Sequence, residues 1–237
     1  MLVVYSANRF MQDIEQLQPI ESSKIGLTKE EFLAQLNNPE VQKKFGLNSH
    51  TIRSLFIPNT YNVYWDISSD ELIKRMAKEY KSFWNPERIA KSKKIGLTQS
   101  EVSTLASIVY TETNKMDDAN IIAGVYMNRI KRGIPLQADP TLIFAKGDFT
   151  IKRVLNEDKL VDSPYNTYKY AGLPPGPIYV SPIPYLDAVL NYKKHDYIYF
   201  CAKEDFSGYS NFAKTLSQHN VNARKYQEAL RKRNIYR

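Results

Sequence analysis

The sequence predicts an α+β fold, and three features carry that expectation. Runs of strand length rich in β-branched and aromatic residues occur near the start, at 54–65 and around 195–203. Between them, apolar stripes at helical spacing follow Ser/Thr-x-x-Glu capping signals. A proline-rich stretch, 133–185, shows little periodicity of either kind. With 237 residues, 43% of them hydrophobic and 24% charged, the chain is apolar enough to fold as one large domain or as a catalytic domain plus a small one.

The elements follow in chain order. "LVVYS" reads as a strand, followed by short amphipathic helices around 9–18 and 28–46. "SLFIPNTYNVYW", 54–65, reads as strand interrupted at Pro58, so the chain opens with a small α+β unit. Ser68 and Glu71 form a capping box, and Leu72, Met76, Tyr80 and Phe83 then recur on one helical face. The pentapeptide "KIGLT" occurs at 24–28 and at 94–98, each time just before a helix. Five matched residues mark a shared helix-entry signal, not a duplicated domain.

Thr98 and Glu101 form the next capping box and predict a helix over about 99–114. A further helix, about 119–132, follows Asp117 and Asp118, carries Arg129, Lys131 and Arg132 in its last turn and stops at Gly133. Both ends complement the helix dipole. The prolines and tyrosines of 133–185 predict an ordered loop region, because they restrict the chain and offer packing area. "HDYIYFCAK" reads as a strand and "TLSQHNVNARKYQEALRKRN" as a closing helix.

Composition excludes several chemistries. His50, His195 and His219 are scattered and Cys201 is alone, so neither a zinc site of ordinary spacing nor an intramolecular disulfide is expected. Cys201 reads as a buried strand residue. No phosphate-binding glycine loop and no G-x-S-x-G elbow occurs. The net charge of +8 is concentrated: residues 221–237 hold six Lys or Arg and one Glu. Such a tail reads first as a solvated helix face; acidic glycans or anionic lipid would suit it as well as nucleic acid. No apolar run is long enough to span a bilayer.

"IVYTET", 108–113, raises the main chemical question. On the 99–114 helix, Val102, Leu105, Ala106 and Val109 form one stripe, and Glu112 falls on it. A carboxyl group there loses hydration, its pKa rises, and it becomes suited to general acid chemistry. Equally open at this point is a Glu112 at the stripe's edge that snorkels or pairs with a lysine.

Five stretches, "LFIPNTY", "LASIVYTETNK", "IAGVYMNRIKRGIPLQADPT", "SPYNTYKYAGLPPGPI" and "AKTLSQHN", occur in the order and at the spacing that resemble the endolytic murein transglycosylase family, built on a YceG-like domain. The resemblance implies cleavage of peptidoglycan between N-acetylmuramic acid and N-acetylglucosamine, leaving 1,6-anhydro ends. Glu112 matches the family's catalytic glutamate, and Tyr110 stands where many relatives have a further Glu. One carboxyl group suffices for such chemistry: it protonates the leaving oxygen, then deprotonates the sugar's own C6 hydroxyl, whereas ordinary glycoside hydrolases need two.

The resemblance also implies that Gln137, Asp139, Asn166 and Tyr168 contact substrate, in a groove lined by 137–140 and 163–177. As alternatives, Asp139 before Pro140 is only a turn former and Asn166 only caps its loop. His219 and Asn220 are expected to be structural. Residues 1–56 take the place of a LysM-like subdomain and 57–237 that of the YceG-like catalytic domain, whose central helix bears Glu112.

The expected partners are peptidoglycan glycan strands and cell-wall synthesis proteins, with no metal, no cofactor and no nucleic acid. The resemblance further implies a soluble fragment of a protein anchored in the inner membrane by an N-terminal helix, its catalytic part periplasmic. The rival readings are a catalytically inactive glycan-binding scaffold and a nucleic-acid binder acting through the basic tail.

Overall fold

The computed structural model describes residues 26–151 and 153–235, together with the backbone of 2–6. The helix expected at 9–18 lies outside the described residues. The first strand, β1 (Leu2–Ser6), pairs antiparallel with β2 (Thr60–Tyr64), so that Leu2 lies opposite Tyr64 and Ser6 opposite Thr60. Burial alternates along β2, with Tyr61 and Val63 facing inward. The boundary expected at 56–57 therefore falls between two strands that pair.

Two helices, α1 (Lys29–Leu36) and α2 (Pro39–Lys44), replace the single one expected over 28–46. Pro39 holds Asn38 in an extended conformation, and the Asn38 side chain caps the new helix by accepting from the Glu40 N–H. The strand expected over 54–65 is likewise shorter, because Ile52–Leu55 forms a 3-10 turn and pairing starts only at Thr60.

Both predicted capping boxes are present. They open α3 (Ser69–Phe83) and α5 (Gln99–Glu112), and Thr28 with Glu31 makes a third at α1. The two "KIGLT" threonines thus do the same job at two helix starts. Between α3 and α5, α4 (Pro86–Ile95) starts at an Asn85 cap with Pro86 in its first turn and ends at a left-handed Gly96.

Helix α5 is enclosed by α4, α6 (Met116–Lys131), α7 (Asp139–Lys146) and α8 (Ile183–Leu190). Val102, Leu105, Ala106, Ile108 and Val109 are all completely buried. The same helix carries hydroxyls on its other faces, and they are satisfied internally. Ser107 Oγ donates to the Thr104 carbonyl at 2.7 Å and accepts the Ile178 N–H at 3.0 Å, which ties the proline-rich 172–182 segment to the core.

α6 begins three residues earlier than expected, which places Asp117 and Asp118 inside its first turn. The expected 133–185 loop region contains α7, with Pro140 in its first turn. The chain finishes with the antiparallel pair β3 (Tyr199–Ala202) and β4 (Ser210–Ala213), covered by α9 (Leu216–Lys232). Among the described residues no helix is long and apolar enough to cross a membrane.

Gly124 in the middle of α6 allows residues 193–195 to lie directly on that helix. Lys193 N–H donates to the Asn120 carbonyl at 3.0 Å, and a Cβ at position 124 would sit 2.6 Å from His195 Nε2. Alanine has the higher helix propensity, yet Gly124→Ala is expected to destabilise the fold by about 1–3 kcal/mol through overpacking. Denaturant titration with an unchanged m-value checks this.

Candidate active site

Glu112 is the last residue of α5 and is half-buried. Thr113 leaves the helix in an extended conformation, and Tyr185 OH holds its carbonyl at 2.9 Å. No basic residue sits in the last turn of α5 to offset the negative end of the helix dipole. Tyr126 OH, from α6, donates to Glu112 Oε1 at 2.8 Å. Burial pushes the Glu112 pKa up to about 7; the Tyr126 hydrogen bond opposes the rise, the charge of Asp139 adds to it and the charge of Arg129 works against it. Among the described residues no lysine is paired with Glu112, so the snorkelling alternative gives way to a desolvated carboxyl group.

That group opens into a cavity of about 560 Å³. Arg129, buried beside it, donates Nε–H to the Ile198 carbonyl at 2.7 Å. Its Nη1 donates to the Pro135 and Leu136 carbonyls at 3.0 and 2.9 Å and to Gln137 Oε1 at 3.3 Å. Gln137 lines the cavity in a left-handed conformation, φ +54°, which its N–H bond to the Thr167 carbonyl at 3.0 Å helps to hold.

Asp139, in the first turn of α7, also lines the cavity and accepts a hydrogen bond from Tyr168 OH. Burial, followed by that hydrogen bond, pushes the Tyr168 phenol well up. Three of the four expected contact residues, Gln137, Asp139 and Tyr168, thus join Glu112 in one cavity. Asp139 is more than a turn former.

Asn166 does not join them. It is fully buried, its Nδ2 donates to the Lys159 and Val161 carbonyls at 2.9 and 2.8 Å, and its Oδ1 accepts the Tyr168 N–H at 2.9 Å. Every polar atom of the amide serves the loop backbone, so the expected substrate contact is corrected to a loop cap that positions Tyr168.

The opposite wall is one the sequence reading did not assign. Tyr199 to Ala202 of β3, Gly208 to Ser210 before and at the start of β4, and Leu216 and His219 of α9 complete the cavity. Cys201, expected to be a buried strand residue, is half-buried and faces this space. His219, expected to be structural, stacks on Tyr199 with ring centroids 5.3 Å apart and lines the cavity too. The only sequence signal for this wall was the order of the matched blocks, since strand and helix patterns do not say which face meets a distant carboxylate. Asp118 anchors the wall by accepting the Ser210 N–H at 2.6 Å from within α6.

The sequence model of the YceG-like family matches residues 5–225, nearly the whole chain. The chain belongs to the YceG-like family. A Bacillus subtilis (strain 168) relative named endolytic murein transglycosylase is 36% identical over 203 residues, which cover 85% of this YceG-like chain and 54% of the relative. A Streptococcus pneumoniae (strain D39 / NCTC 7466) relative of the same name is 30% identical over 218 residues, covering 84% of this chain and 39% of the relative. The chain therefore spans about half the length, or less, of these curated relatives. The crystal structure of a yceG-like protein from Listeria monocytogenes superposes with a TM-score of 0.73 at 29% identity, covering 92% of this chain and 73% of that one.

Glu112 holds its proton more tightly folded than unfolded. Between its ordinary pKa of 4.5 and about 7, the native state binds the extra proton, so this group lowers stability as pH rises through that window. Glu112→Gln keeps an acceptor for Tyr126 and removes the titration. The variant should match the wild type near pH 4 and exceed it at pH 8 by on the order of 3 kcal/mol, read from denaturant midpoints at the two pH values.

Proposed function

We propose that this YceG-like chain carries an endolytic peptidoglycan lytic transglycosylase activity that cleaves glycan strands between N-acetylmuramic acid and N-acetylglucosamine. The observation that carries the reading is Glu112: a carboxyl group raised to about 7, held by Tyr126 and open to a polar cavity. The names of the relatives support the same reaction class.

Glu112 enters the cycle protonated and gives its proton to the bridging oxygen, which leaves as the hydroxyl of N-acetylglucosamine. Positive charge develops at C1 of the muramic residue. The Glu112 carboxylate, stabilised by the Tyr126 hydroxyl and the nearby Arg129 charge, then takes the C6 hydroxyl proton as that oxygen bonds to C1. A 1,6-anhydro end forms, no water is consumed and the acid is regenerated. Gln137 and Tyr168 supply an amide and a phenol for the N-acetyl and hydroxyl groups of the sugars. We read β1, α1, α2 and β2 as the LysM-like unit, ending at Tyr64, and place the activity in the cell envelope outside the inner membrane, where glycan strands and the enzymes that make them lie.

A second reading is a hydrolase that uses Glu112 and Asp139 together, favoured by the two carboxyl groups in one cavity. Digestion of uncross-linked strands followed by mass spectrometry separates the two. Anhydro ends support the transglycosylase, and reducing muramic ends overturn it in favour of the hydrolase. Absence of cleavage alongside retained strand binding supports a scaffold.

Because the reaction needs the protonated acid first, the rate is expected to fall as pH rises through about 7. Glu112→Gln should lower kcat at least ~100-fold, the scale of general acid catalysis. Tyr126→Phe removes the bond that opposes the rise, so its falling pH limb should move to higher pH. An unmoved limb would sever Tyr126 from the catalytic acid.

A further inference from the structure

Leu216 lies on two spaces at once. It lines the catalytic cavity, and it also opens a groove of about 680 Å³ along the outer face of α9. Leu216, Asn220, Ala223 and Gln227 repeat at four, three and four residues and so form one helical face, with Ser217 and Arg224 beside it. Among the described residues α9 holds onto the protein through a different side: His219 stacks on Tyr199, Tyr226 meets the Phe206 ring at a tilt and Arg233 lies over Phe206. No residue of α9 is buried.

The groove combines an apolar floor with a hydroxyl, two amides and a guanidinium. Arg224 is exposed and makes one long bond, Nε–H to the Asn220 carbonyl at 3.4 Å. None of Arg224, Lys225, Arg231, Lys232 and Arg233 is in an ion pair with a described carboxylate, although the described residues hold eight such pairs elsewhere. Arg224, the cation that lines the groove beside two amides, matches a ligand with a peptide backbone and carboxylates, since a guanidinium fork pairs a carboxylate with two parallel bonds.

A glycan strand of the kind proposed above carries such a ligand: the short peptide, bearing free carboxylates, that branches from each muramic residue. We propose that the α9 groove is a subsite for this anionic peptide. Arg224 pairs one carboxylate, and Asn220 and Gln227 hold the peptide backbone, while the cavity on the far side of Leu216 holds the sugar. The span from Leu216 to Gln227 is about 16 Å at 1.5 Å per residue, room for about five extended residues. The inference rests on the glycan-strand reading, and it adds a preference for strands whose peptides are intact.

Two strand preparations test it, one with peptides intact and one stripped by an amidase. The ratio of kcat/KM for intact over stripped strands is expected to exceed one and to fall about ten-fold in Arg224→Glu, the loss of one charge-assisted contact. Lys78→Glu, an exposed change on α3, controls for net charge and should leave the ratio as in the wild type. A ratio that Arg224→Glu does not move overturns the subsite, as does an equal fall in Lys78→Glu. Binding to Glu112→Gln, followed by fluorescence anisotropy, needs no turnover. Arg224-dependent preference for intact strands without anhydro products would sink the transglycosylase reading and keep the subsite; anhydro products with equal binding of both strands would do the reverse.

Discussion

The cavity is held together by a buried guanidinium that, among the described residues, makes no direct ion pair. Arg129 is 8% exposed, and the acceptors of its hydrogen bonds are three carbonyls and one side-chain amide oxygen. Those acceptors belong to the strand entering β3 and to the segment entering α7, two walls far apart in sequence. One side chain of α6 therefore fixes both against the helix that also carries Tyr126. Burying an unpaired cation is unfavourable, and burial lowers the Arg129 pKa accordingly. The carbonyl dipoles and the face of Tyr199, 5.4 Å from the guanidinium carbon, offset part of that cost. The remaining compensation is available from the carboxyl groups of the cavity, which gives the ionised form of Glu112 a counter-charge when it needs one.

Much of the scaffold was legible because local chemistry decides it. The boxes at Ser68 and Thr98 each satisfy backbone groups within three residues, so their helices start where the pattern says. α4 carries local signals at both ends, Asn85 with Pro86 at its start and Gly96 at its stop, but no capping box or long apolar stripe between them. Pro140 stands one residue into α7, where a missing N–H costs nothing; within the proline-rich run it read as loop.

The site was legible only in part, for a different reason. Periodicity placed Glu112 on the apolar stripe, and the matched blocks added Gln137, Asp139 and Tyr168. Asn166 sits in the same block as Tyr168 and faces the other way, because its amide finds four backbone partners inside its own loop. Cys201 depends on how β3 packs against α6, and His219 on how α9 then covers β3; no local pattern encodes a contact between elements some 70 residues apart. Tyr110 shows the converse. The position where the resemblance implies a second Glu is filled by an aromatic ring whose centroid lies 4.9 Å from that of Tyr185 and 5.3 Å from that of Tyr179, so it serves core packing here.

Two carboxyl groups share the cavity, and helix geometry treats them oppositely. Glu112 ends α5, where the dipole disfavours a negative charge and the helix's own last turn carries no basic residue to offset it. Asp139 begins α7, where the dipole stabilises an anion. The Tyr168 hydroxyl donates to Asp139 and so engages one of its carboxylate oxygens. The charge of Asp139 adds to the rise in the Glu112 pKa, and in the proposed reaction it also favours the positive charge that develops at a sugar's C1 as the glycosidic bond breaks. In the proposed one-acid reaction Asp139 acts through its charge alone, whereas the rival hydrolase reading makes it the second carboxyl group.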